Sequence, residues 1–345
     1  MTAVVLRKNA FEMDKDAAGT TGERAGPATG DAPPVGARGL PGGLSLPALK
    51  LPALKLPSAR HVVEALWPPL AGIGGFLLLW GMLAPLVRTS LGALPGPGEV
   101  LHAFGDLLVE FAAAREMAAQ TAAAGQMWSG PPTFIDQIVT SLKTVALGFV
   151  LATLVAVPLG LVAGMSQRFN AAINPLVQIM RPVSPLAWLP IVTMVVAASM
   201  TSDDPALAKS FVISAVVVML CSLWPTLINT AIGTASIDKD LINVGRVLKL
   251  GWLARLTRLV LPSALPYIFT GMRLSLGTGW MVLIAAEMLA QNPGLGKFVW
   301  DEFQNGSEKS LARIMVAVVV IGLIGFLLDR VMMALQAVVS RNRTF

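Results

Sequence analysis

The sequence predicts an all-α integral membrane protein with six spanning helices, and three observations carry that prediction. Of 345 residues, 54% are hydrophobic and 13% charged, with a mean hydropathy of +0.68; a soluble domain carries about twice that share of charge. Six stretches are apolar over the roughly 20 residues that an α-helix needs to cross a bilayer. Lys and Arg segregate between the intervening stretches as an even number of crossings requires.

In chain order the spans fall near Trp67–Val87, Ile138–Met165, Leu176–Ser199, Phe211–Gly233, Pro266–Leu289 and Ile314–Val338. Pro182, Pro185 and Pro190 crowd the start of the third. Proline is accommodated inside a membrane bundle where neighbours satisfy the carbonyls it frees. Between the first and second spans, Leu94-Pro95-Gly96-Pro97 makes a turn, and Glu99–Gln126, with acids early and much Ala, reads as a helix on the outer face.

Orientation follows from the basic residues. The N-terminal tail holds eight: Arg7, Lys8, Lys15, Arg24, Arg38, Lys50, Lys55 and Arg60. The stretch before the fifth span holds Lys239, Arg246, Lys249, Arg255 and Arg258, and the C-terminal end holds Arg330, Arg341 and Arg343. The loop after the first span has only Arg88 and Arg115. Both termini and the stretch before the fifth span are therefore expected in the cytoplasm, in a multi-pass protein of the bacterial inner membrane. Lys297, Lys309 and Arg313, before the sixth span, run against this trend.

Residues 1–60 read as a flexible cytoplasmic tail ahead of a membrane domain at 61–345. No apolar core follows Arg7 and Lys8 as a signal peptide would require. The tail is rich in Gly, Pro and Ala and contains LPALK twice, at Leu46–Lys50 and Leu51–Lys55. Proline at that spacing blocks a continuous helix.

Catalytic chemistry is not expected. His61 and His102 fall in different compartments, which excludes a His-based metal site or triad within one chain. A single cysteine, Cys221, excludes an intrachain disulfide. Gly294-Leu295-Gly296-Lys297 approaches a phosphate loop but lacks the first Gly of GxxxxGK[ST], and Phe298 follows the Lys. Hydrolysis of ATP would have to come from another chain. No cofactor, metal or nucleic-acid partner is expected.

Ionisable groups inside spans are costly and mark candidate pathways. Arg273 lies about two turns into the fifth span, with Glu287 fourteen residues on, within about 40° of the same face but about 21 Å away. Lys143, about a turn into the second span, neighbours Thr140, Ser141 and Thr144. The candidate anion path is Lys143, Thr144, Arg273 and Trp280; the alternative has Lys143 and Arg273 snorkelling to the headgroups and Trp280 in the core. Gly271, Gly277 and Gly279 thin the fifth span for close helix approach. Asp329 and Arg330 read as the interfacial end of the sixth.

The run LPSALPYIFTGMRLSLGTGW…AAEML (from Leu261), with Gly294-Leu295-Gly296, Ser222–Gly233 and Ile321–Gln336, resembles permease subunits of ABC importers, in the branch that handles nitrate, sulfonates and taurine. The resemblance covers about residues 62 to 340, and the stretch from Ala290 to Arg330 looks most like nitrate permeases. It implies a type I importer permease fold with a cytoplasmic coupling helix, in a coupling loop at about 238–262. That family's loop has the pattern EAA-x3-G-x9-I-x-LP. Anchored on Leu261-Pro262, the Gly position falls on Lys249, the Ile position on Leu259, and EAA on Asn243, Val244 and Gly245, so that only the LP end matches. Asp240–Leu250 still reads as a short helix and Gly251-Trp252 as a turn. The resemblance further implies two permease subunits, expected as a homodimer, two cytoplasmic ATPase subunits, and an external binding protein, carrying nitrate or else nitrite or cyanate. Alkanesulfonate or taurine is the alternative cargo, and a secondary transporter the alternative class.

Overall fold

The computed structural model describes residues 59–89, 92–126, 130–200, 208–307 and 309–341; the tail with its LPALK repeat lies outside them. Helix α1 spans Ala59–Leu83 and ends in a 3-10 turn, Ala84–Leu86. A two-residue antiparallel ladder follows, β1 (Arg88–Thr89) on β2 (Gly92–Ala93), with Arg88 opposite Ala93. Helix α2, Pro97–Ala123, starts two residues before the expected Glu99: Pro97 occupies the first turn, where a missing N–H costs nothing, and Glu99 accepts the Gly96 N–H at 3.2 Å. Helix α3, Phe134–Met165, opens with a reciprocal cap between Thr133 and Asp136.

The third expected span is not one helix. It consists of α4 (Gln167–Met180) and α5 (Pro185–Ser199), bent by 101° at the break. Pro182 and Pro185 explain this, because each removes an N–H and biases the preceding residue away from helical geometry. Then come α6 (Lys209–Ala235), α7 (Lys239–Val247), α8 (Trp252–Arg255), a π turn (Leu256–Val260), α9 (Leu261–Ala290), α10 (Leu295–Asn305) and α11 (Ser310–Arg341). Among the described residues five stretches are long and apolar enough to span unbroken, and there are six if the bent pair counts as one.

Helix α6 sits between α3 and α9. Half of its most apolar window is buried, against 6% for α1 and 11% for α11, so the core lies here and α1 and α11 are peripheral. Small residues make the approach close enough. On the α3 side, a Cβ at Gly160 would lie 2.6 Å from the Thr230 Cβ and 2.8 Å from the Leu227 carbonyl. On the α9 side, a Cβ at Gly271 would lie 2.8 Å from the Asn229 Cβ, and one at Gly279 would lie 2.5 Å from the Ser222 Oγ. Gly277, expected to share this role, faces open space. Between Gly271 and Gly279 the Ser275 hydroxyl reaches the α6 backbone beside Pro225. It donates to the Ser222 carbonyl and accepts from the Thr226 N–H at 3.1 Å and from Thr226 Oγ1 at 2.7 Å. This is the small-xxx-small packing by which membrane helices associate where burial of apolar surface gives little drive.

Replacing Gly160 with Ala is expected to destabilise the purified protein by about 1–3 kcal/mol, since a methyl group there must displace α6. Gly72→Ala, where nothing lies within 4 Å, is expected to leave it unchanged. Thermal unfolding in detergent measures both.

Candidate functional site

One continuous helical run, Trp252–Ala290, carries or touches the chemically distinctive groups of the chain. At its start, α7 is capped by Asp238, which accepts the Asp240 N–H at 2.9 Å. The helix ends in a paired closure: the Leu250 N–H donates to the Gly245 carbonyl at 3.0 Å, and the Lys249 N–H to the Arg246 carbonyl at 2.9 Å. That closure requires a left-handed residue, and Lys249 supplies it with φ 51°. Lys249 therefore stands where the loop geometry favours glycine. Gly251, by contrast, has φ −60° and ψ 162° with nothing near a built Cβ, a conformation that any residue, Pro included, adopts.

Gly245 is buried against Leu259, whose Cδ1 would lie 2.6 Å from a Cβ there, so α7 packs onto the π turn. The widened turn sits where Pro262 lacks an N–H and its ring opposes the Arg258 carbonyl four residues back. Asp240 and Asn243 are exposed. So are apolar side chains: Val247 is 81% exposed, Leu253 65% and Trp252 61%, with Val244 and Leu248 beside them. This patch belongs to no packed core of the chain.

Midway along α9, the Arg273 guanidinium grips Asp329 of α11 through two hydrogen bonds, Nε to Oδ1 and Nη2 to Oδ2, the latter at 2.9 Å. Asp329 is thus internal to α11, which runs twelve residues beyond it to Arg341, rather than closing the span as expected. One turn from Gly277, Trp280 is buried and donates its indole N–H to the Ile321 carbonyl at 3.0 Å. A small cavity lies between Arg273, Gly277, Trp280, Gly325 and Asp329. Thr270, Arg273, Gly277 and Thr278 are exposed on this face of α9, together with the apolar Leu274 and Met281.

At the far end, the Glu287 carboxylate is 0% exposed. Ser141 Oγ lies 2.9 and 2.8 Å from its two oxygens, the Gly296 N–H donates to Oε2 at 3.0 Å, and the Asn292 Nδ2 reaches Oε1 at 3.5 Å. Asn292 also donates to Thr144 Oγ1 at 3.2 Å, and the Leu295 N–H to Ser141 Oγ at 2.9 Å. A Cβ at Gly294 would collide with the carboxylate, and one at Gly296 with the Ile284 carbonyl. The glycine-rich stretch resembling a phosphate loop thus holds a carboxyl group of its own chain, and Lys297 pairs with Asp301 at 2.7 Å instead of reaching into it.

The structure separates the four residues of the candidate anion path. Thr144 belongs to the Glu287 network, Lys143 beside it is exposed, and Arg273 and Trp280 face α11. Ser141, Asn292 and Asp329 were not singled out by sequence reasoning as partners. The signal for the first two was a glutamate inside an apolar span followed within nine residues by paired glycines; no local signal joined Asp329 to Arg273.

A family model described as binding-protein-dependent transport system inner membrane component matches residues 156–344. A bicarbonate transport system permease protein, CmpB, of Synechococcus elongatus is 35% identical over 82% of this chain and 92% of its own length. A nitrate import permease protein, NrtB, of the same species is 37% identical over 59% of this chain and 69% of its own. Among solved structures, the inward-facing MetNI methionine ABC transporter aligns with 60% of this chain and 95% of that chain, with a TM-score of 0.48 and 12% identity.

Lys249→Gly is expected to stabilise the α7 closure by about 1 kcal/mol, by removing the left-handed penalty of a side chain with a Cβ. Hydrogen exchange at the Lys249 and Leu250 amides should slow accordingly; unchanged exchange would contradict the strain assignment.

Proposed function

This chain belongs to the family of binding-protein-dependent transport system inner membrane components, the ABC importer permeases, and from that membership we propose that it is the pore-forming subunit of an ATP-driven importer for nitrate. The observation that carries the reading is the exposed apolar loop before α9. Val244, Val247, Leu248, Trp252 and Leu253 form a patch on a short polar connection between the two helices that pack most closely in the core. An apolar patch of this kind, rimmed by charge, marks an interface. Its partner is a cytoplasmic ATPase subunit, and the loop with both termini lies on the cytoplasmic side, as the excess of Lys and Arg there favours. The coupling loop comprises Asp240, Asn243, Val244, Gly245, Lys249, Gly251, Trp252, Leu259, Leu261 and Pro262. Of these, Gly245 and Leu259 hold the loop's shape, while Val244 and Trp252 offer surface.

Closure of the ATPase pair pushes on α7 and α8, and the helical run through Pro262 passes the push to α9. The pore forms between two copies of the chain, as a homodimer. In support, the Arg273–Asp329 pair is partly exposed on a spanning face, where contact with hydrocarbon is unfavourable; a second subunit or a watered path relieves that. Arg273, with Thr270 and Thr278 on the same exposed face, points outward from the core, as does Lys143, which sits nearer the outer mouth. An external binding protein delivers the cargo and carries most of the selectivity.

Bicarbonate is the second reading, favoured by the long alignment with a bicarbonate permease. Nitrate and bicarbonate are both planar oxyanions of single charge, so one pore chemistry serves either. Alkanesulfonate or taurine is a third cargo to be tested. In proteoliposomes holding permease and ATPase with the cognate binding protein, labelled nitrate is expected to accumulate with ATP and to stop with vanadate. Accumulation of bicarbonate or taurine alone would reassign the cargo, and uptake indifferent to ATP would remove the importer reading. In the same system Val247→Asp with Leu253→Asp is expected to cut uptake by at least about tenfold, the cost of losing apolar anchors at an interface, while membrane insertion is retained.

A further inference from the structure

We propose that Glu287 is a positioning residue that locks α10 onto the outer end of α9, so that a protein gripping α10 from outside is mechanically joined to the coupling loop. This rests on the importer reading above. The carboxylate is fully buried and accepts no salt bridge among the described residues; its partners are neutral donors from three places in the chain. A buried anion is tolerable only where such donors hold it. Here they come from α3 (Ser141), from the turn after α9 (Asn292) and from the first turn of α10 (Gly296), so one group fixes the mutual placement of three helices.

The geometry leaves little slack. Gly294 and Gly296 admit the carboxylate because they have no side chain, and Ser141 Oγ simultaneously accepts the Leu295 N–H that begins α10. Beyond the first turn α10 is held again: the Phe298 ring packs at a tilt against Phe134 of α3, centroids 4.8 Å apart, and Glu302 accepts from Ser310 Oγ at 2.9 Å and from Arg313 Nη1 at 3.1 Å. The C-terminal end, Phe303 to Asn305, is exposed. Helix α10 is therefore a lever bolted at its base and along one side, with an exposed end for a partner. The run Trp252–Ala290, 39 residues, extends roughly 58 Å, enough to join that lever to the loop on the other side of the bilayer.

The test uses the assembled importer in lipid nanodiscs, with ATP hydrolysis measured with and without loaded binding protein. Glu287→Gln, which keeps the shape but loses one accepting oxygen, and Ser141→Ala, which removes the bridging hydroxyl, are each expected to hydrolyse ATP at the wild-type basal rate. Stimulation by binding protein should fall about tenfold in Glu287→Gln, the scale of one lost hydrogen bond to a charged group, and by less in Ser141→Ala. Stimulation retained in both variants overturns the proposal. So does a proportional fall in basal and stimulated rates, which describes a weakened fold and not a broken joint. If Glu287→Gln does not assemble, Ser141→Ala decides alone by the same criteria. A wild-type complex that binding protein does not stimulate removes the importer reading itself, and the inference with it.

Discussion

Everything in this molecule depends on how closely α6 can approach α3 and α9. Inside a bilayer, apolar surface gains little by leaving lipid, so helices associate where backbones can come near and where polar groups find partners. Gly160 and Gly271 provide the nearness on the two sides of α6. Ser275 provides the polar contact, at the point where Pro225 disturbs the α6 ladder. With α9 fixed against α6 in this way, its two ends become defined in space, and those ends hold the apolar loop and the Glu287 network.

The central helix accordingly has a different task at each level. At its start, the π turn before Pro262 resolves a conflict between a continuous helix and a residue that cannot donate. In its middle, Arg273 is balanced by Asp329, so that a charge inside a span is held as a neutral pair. At its end, Glu287 is held by hydroxyl, amide and backbone donors, with no cation beside it among the described residues. Both solutions bring an ionisable group into a span; the second also fixes the start of α10.

Spans, the α2 helix and the α7 segment were legible in the sequence, because apolar length and capping residues act locally. The third span was not, since hydropathy sums over Pro182 and Pro185 without registering the turn that they impose. Local reading also placed Glu287 and Arg273 near one face of α9. Their separate destinies are set by Ser141, 146 positions from Glu287, and by Asp329, 56 positions from Arg273; nothing local encodes such pairings. The segment before α9 shows the reverse case. Its EAA residues are absent, yet the position where the family pattern has glycine, Lys249, adopts the left-handed backbone that explains the glycine. Geometry persisted at that position where residue identity did not.

The account's central claim is that the exposed apolar loop before α9 is the surface on which an ATP-hydrolysing partner acts. A photo-crosslinking residue placed at Val247 in the assembled, transport-competent complex tests it most directly, with Met281, exposed on the spanning part of α9, as the comparison position. The account predicts a covalent adduct between the Val247 position and an ATP-binding subunit, and none from position 281. Active transport with no adduct to such a subunit from Val247 would contradict it.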